Sequence, residues 1–117
     1  MEKTHERLQE IFDELYTLQI PEKIIFLDAL LFYFTITGRG IWSDEKRTDA
    51  EKVAAFKWLN ELMHRIWNIR FELQQGEDND SIIRLYGNMS FYGEQSDLLE
   101  RHLVPTILGA FENFKFK

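Results

Sequence analysis

The chain has 117 residues, 44% of them hydrophobic and 29% charged, with a net charge of −6 and no cysteine. That size suits a single domain, 1–117, with a core of its own. The acidic balance and the lack of any Lys/Arg run exclude binding by phosphate neutralisation, so no nucleic-acid partner is expected; the missing thiols exclude disulfides, thiolate nucleophiles and sulfur-ligated zinc.

Ten Phe, four Tyr and three Trp are more large rings than a core this small needs, which predicts that some lie on a surface or a subunit interface. The opening run Met1-Glu2-Lys3-Thr4-His5-Glu6-Arg7 is too charged for the apolar segment of a secretory signal, and a cytoplasmic location is the expectation. Over 4–18, Leu8, Ile11, Phe12, Leu15 and Leu18 recur at steps of three and four opposite Glu6, Glu10, Asp13 and Glu14, the pattern of an amphipathic first helix.

Pro21 suits the first turn of a second helix and Glu22 suits the positive end of its dipole. This helix, expected over 21–37, is apolar on almost every side and must be central or at an interface. Its greasiest stretch, 24–36, has 13 residues including Asp28, short of the roughly 20 that span a bilayer, so no membrane partner is expected. Gly38-Arg39-Gly40 is read as its end, with Ile41 and Trp42 folding back on the core.

Thr48-Asp49-Ala50-Glu51 has the form of a capping box and opens a third helix over 48–75. Ala55, Leu59, Leu62, Ile66, Ile69 and Leu73 form its seam in alternating steps of four and three, and Gly76 ends it. A short helix over 81–86, capped by Asp80, is expected next, then a glycine-bounded aromatic loop from Tyr86 to Tyr92. Ser96 caps a last helix with Leu99, Leu103, Ile107, Ala110, Phe111 and Phe114 inward and a kink at Pro105. The expected fold is all-α: a four-helix up-down bundle with a short extra helix between the third and last main helices.

Two charges break the apolar pattern. Asp28 is a lone carboxylate on the second helix, and Arg70 falls inside the apolar arc of the third. Either they form a buried pair, with His64 or Arg65 as the other partners for Asp28, or Asp28 lies on a solvent stripe and Arg70 snorkels. Asn60, His64, Trp67 and Phe71 share one border of the third helix, where a ligand or partner could meet them or where the rings simply join the core. The run Lys57-Trp58-Leu59-Asn60-Glu61-x-x-His64-Arg65-x-Trp67, preceded by Gly40-Ile41-Trp42, resembles a pattern of small bacterial all-α proteins with no established activity. The resemblance covers about 20–70 and implies no catalytic role.

No catalytic set is assembled: three scattered histidines give no triad, Gly38-Arg39-Gly40 is too short for a phosphate loop, and Asp78-Asn79-Asp80 lacks the rest of a calcium loop. Glu2/His5 and Glu61/His64 have the Glu-x-x-His spacing of di-iron bundles but not the further inward glutamates, so no metal and no cofactor are expected, with Glu61 and His64 the weak exception. The binding residues selected are Asp28, Trp42, Asn60, His64, Trp67 and Arg70. The expected function is a non-enzymatic interaction or regulatory protein with a protein partner, self-associating through rings of the second and last helices; the alternative is a small-ligand or metal-binding bundle with a pocket around His64.

Overall fold

A computed structural model describes residues 2–115, with side chains over 6–114. Five helices follow one another, α1 (Glu2–Tyr16), α2 (Ile20–Trp42), α3 (Asp49–Gln74), α4 (Ser81–Gln95) and α5 (Asp97–Lys115), with no strand among the described residues. The all-α expectation holds, while the short extra helix does not: α4 has 15 residues, as many as α1.

The local signals explain most of these boundaries. Glu51 N–H donates to Thr48 Oγ1 at 3.2 Å and Thr48 N–H donates to Glu51 Oε1 at 3.2 Å, closing the capping box at the start of α3. The six seam residues of α3 are all buried, and they are the only buried residues of that helix. At α5, Leu99 N–H donates to Ser96 Oγ at 3.1 Å. Asp80 sets up α4 differently from expectation, in the left-handed region at φ 53°, and the cap is Asp78, whose Oδ1 accepts from Ser81 N–H at 3.2 Å.

Glycine misled the reading of α2 and α4. Gly38 and Gly40 lie inside α2, which runs on to Trp42. A Cβ on Gly38 would stand 3.3 Å from Phe56 Cε1 and 3.7 Å from Leu59 Cδ2, so this glycine lets α3 approach rather than releasing the chain. Gly93 does the same for α5, where a Cβ would meet Leu103 Cδ1 at 3.0 Å. The expected aromatic loop is thus the second half of α4, with Tyr92 buried and Tyr86 edge-on to Phe12 at 5.0 Å. At 23 residues α2 is long and apolar enough to cross a membrane by length and composition, unlike the 13-residue stretch read from sequence.

Helix α2 packs against α3 and α5, α3 against α4 and α5, α4 against α5, and α1 against α4 and α5. Asp28 meets Arg70 while Gly38 meets Phe56, so α2 and α3 run antiparallel. The same logic holds for α3 and α4 through Glu72–Arg84 and Trp58–Tyr92, and for α2 and α5 through Phe26–Phe114 and Thr37–Thr106. The inner seam of α2 reads Lys23, Leu27, Leu30, Phe34, Thr37 and Ile41, steps of four and three with every member buried. Its two polar members are both partnered. Thr106 Oγ1 donates to the His102 carbonyl at 2.6 Å, which leaves Thr37 to donate to Thr106 Oγ1.

Two helical glycines should therefore respond oppositely to substitution. Gly87 has no atom within 4 Å of where a Cβ would stand, so Gly87→Ala should stabilise by about 0.5–1 kcal/mol through helix propensity. Gly38→Leu drives a side chain into Phe56 and Leu59 and should cost about 1–3 kcal/mol. Chemical denaturation of both variants measures the two signs.

Candidate functional site

Large apolar side chains that stay in solvent are concentrated on two adjacent helices. Of the eleven among the described residues, seven belong to α2 and α3: Ile25, Phe32, Ile36, Trp42, Val53, Trp67 and Phe71. The reason lies in α2. Its inner arc is consumed by α3 and α5, yet Ile25, Ala29, Phe32 and Ile36 continue an apolar stripe at steps of four and three on the opposite side. On α3, Val53, Asn60, Trp67 and Phe71 repeat the pattern beside it.

At one end of this face the two helices leave a groove of about 560 Å³, lined by Thr35, Gly38, Arg39, Trp42, Phe56, Asn60 and Met63. Phe34 and Leu59, both buried, form its floor. Trp42 stands edge-on to Phe56 at 5.5 Å, and Lys52 Nζ lies 6.0 Å from the centre of its ring. Contrary to expectation, Trp42 does not fold back on the core; it is 55% exposed, because α2 continues through Gly40 and carries it outward.

Arg70 and Asp28 form the predicted pair at the other end. Arg70 donates from Nε to Asp28 Oδ1 and from Nη2 to Oδ2 at 3.3 Å, and its guanidinium lies 5.4 Å from the Trp67 ring centre. The pair is not buried, since the Asp28 side chain is 50% exposed. Both sequence readings are thus half right: the partners are Asp28 and Arg70, and Arg70 snorkels along the helix surface to reach a carboxylate on the solvent stripe.

Of the six selected residues, Trp42 and Asn60 share the groove, while Asp28, Arg70 and Trp67 form a contiguous stack nearer the start of α2. His64 is exposed on α3, one turn beyond Asn60, and does not line the groove. Trp67 and Phe71 lie in solvent, not in the core, because their arc of α3 faces outward beside α2. Glu61 is exposed too, and no three His, Asp or Glu groups converge among the described residues; the side chains of Glu2 and His5 lie outside them. The rings of the last helix are a correction: Phe111 is buried and Phe114 half-buried, and the exposed rings lie on α2 as expected but otherwise on α3, α4 and Tyr16 of α1.

Sequence reading missed the ion pair whose cation is buried. The Lys23 side chain, 8% exposed, donates to Asp78 Oδ2 in the link between α3 and α4 and lies 5.9 Å from the Tyr16 ring centre. Burial raises the Asp78 carboxyl, but Lys23 and the Ser81 donors outweigh it and hold the group below its ordinary value. The signal was legible, because Lys23 begins the inner seam of α2. A second link joins α3 to α4: Arg84 donates to both carboxylate oxygens of Glu72 at 2.8 and 3.0 Å, with Asn79 adding a third bond at 3.1 Å. Arg84 and Asn79 lower Glu72 from 4.5 to about 2.

No family model matches the chain. No curated protein matches it, and no solved structure does.

The two ion pairs of α2 should differ in what they hold. Lys23→Ala empties a buried position of the α2 seam and leaves the part-exposed Asp78 carboxylate without its ammonium, and should cost about 1–3 kcal/mol, whereas Asp28→Asn, at an exposed pair, should cost under about 1 kcal/mol; thermal and urea unfolding compare them. Because Glu72 and Asp78 both ionise more readily folded than unfolded, their contribution is complete above the ordinary carboxylate range and fades as pH falls toward 2. Stability measured from pH 6 down to pH 2 should drop across that window, and less steeply in Glu72→Gln.

Proposed function

We propose that this chain is a non-enzymatic helical interaction or regulatory protein, an up-down bundle of five helices that works through protein–protein contact on the outer face of α2 and α3. One observation carries the reading: seven large apolar side chains gather on that face, each between 47% and 61% exposed. A stable monomer scatters such groups, and an apolar face rimmed by polar residues marks an interaction site. The groove and the Arg70–Trp67 stack add the pocket and the rigid Trp and Arg anchors on which interface energy concentrates. The resemblance of 57–67 to small bacterial helical proteins fits this reading and brings no activity with it.

An aqueous, cytoplasmic setting fits α2 better than a bilayer. Its inner seam is engaged by protein, including the Lys23 ammonium, and its outer side carries Asp28 and Arg39, whose transfer into lipid is costly. A small-ligand reading also has an observation in its favour, the groove, whose volume lies in the range of ligand pockets; its centre is then Trp42, Phe56 and Asn60 rather than His64.

The face can be tested directly. Immobilised wild-type chain and a Phe32→Glu/Trp67→Glu variant are compared for protein retained from an extract of the native host. Retention by the wild type and its loss in the variant, with unchanged circular dichroism, is expected. Equal retention by both would remove this face from the function.

A further inference from the structure

We infer that the partner of this face is a second copy of the chain, bound about a two-fold axis that lies in the interface and crosses the helices. The inference rests on the interaction reading above and names its occupant.

The face is self-complementary from end to end. Its concave part, the groove between Trp42, Phe56 and Asn60, lies where α2 ends and α3 begins. Its exposed rings, Trp67 and Phe71, lie where α3 ends, beside the start of α2 that Arg70 and Asp28 join to them, while Ile25 continues the face toward Phe114 of α5. A two-fold axis across the helices, passing near Phe32 and Ile36, reverses the second copy, so that the rings of each lie over the groove of the other. Such a contact is isologous and closes at two chains. The antiparallel α2–α3 pairs then stack as two layers of two helices, and the apolar steps of four and three on α2 and of seven and four on α3 are the spacing that helix packing of this kind uses.

Charge agrees with that placement. Arg39 and Asp28 lie on the same outer strip of α2, three turns apart, one at the groove end and the other at the ring end. Under the same axis Arg39 of each copy stands opposite the half-exposed Asp28 of the other. The chain carries −6 overall, while Asp28 (−1) with Arg39, Arg70 and the Lys52 that borders Trp42 (+3) gives this face +2, so the net negative charge is carried by the other residues. Two copies can meet here without bringing their acidic surfaces together.

The area suffices. Large side chains that are about half exposed offer roughly 100 Å² each, and seven of them about 700 Å² per copy, close to the ~800 Å² per partner of a standard stable interface.

Light scattering on the eluted chain at tens of micromolar, with analytical ultracentrifugation across a dilution series, tests the second copy. The wild type should run at twice the chain mass. Phe32→Glu and Trp67→Glu should each run at the chain mass with wild-type circular dichroism, and Arg39→Glu, a change at an exposed residue, should weaken the dimer at least tenfold. Ile83→Glu, exposed on α4 away from this face, should remain dimeric. A monomeric wild type overturns the inference, as does a dimer that survives Phe32→Glu and Trp67→Glu or that only Ile83→Glu dissociates. If either variant loses helicity, the comparison of Arg39→Glu with Ile83→Glu decides: a dimer weakened only by Arg39→Glu supports the inference, and one weakened by neither or by Ile83→Glu alone overturns it. The extract experiment keeps the two proposals apart: a monomeric wild type that still retains a face-dependent partner overturns the second copy and leaves the interaction face standing, while one that retains nothing overturns both.

Discussion

A helix that is apolar all round cannot be satisfied by one neighbour, and α2 imposes that constraint on the whole chain. Its inner arc draws α3 and α5 onto it antiparallel, with glycine at Gly38 allowing α3 to come close. Once both flanks are occupied, α4 can bury its own apolar side only against α3 and α5, and α1 completes the cover over α4 and α5. The stripe through Ile25, Phe32 and Ile36 is what remains of α2 after the core is built. Fold and candidate site thus share one cause.

Polar groups tune this arrangement rather than create it. Lys23 occupies a core position at the start of α2 and ties it to the α3–α4 link through Asp78, a connection between segments 55 residues apart in sequence. Glu72 and Arg84 fix α4 against α3 at the same end of the molecule. Asp28 and Arg70, by contrast, meet in solvent, where a pair contributes little to stability. Their effect is on shape and charge: the Arg70 guanidinium is held over the Trp67 ring, and the carboxylate keeps a negative point on the same face.

Much of the fold was legible because amphipathic periodicity reports which arc a helix buries. The seam of α3 could be read residue for residue, and the capping box at Thr48 and Glu51 located its start, since both depend only on neighbours within a turn or two. The glycines were not legible in the same way. Gly38, Gly40, Gly87 and Gly93 look like breaks in a linear chain, and only the approach of Phe56 and Leu103 shows two of them to be packing contacts. The same ambiguity hid the length of α2 and the helical state of the segment around Gly87.

The expectation of surplus rings came from counting alone, and the sequence by itself determined it, together with the all-α class and the seam of α3; it singled out Asp28 and Arg70 as the two charges that break the apolar pattern, and the structure decided that they pair. Tertiary structure decided where the surplus lies. A wheel assigns each ring an angle about its own helix, but whether that angle meets a neighbour or solvent depends on how the helices are arranged around it. That is why Trp42 left the core for the surface, Trp67 and Phe71 resolved to solvent between the two readings open to them, and the candidate site came to rest on α2 and α3 rather than on the last helix.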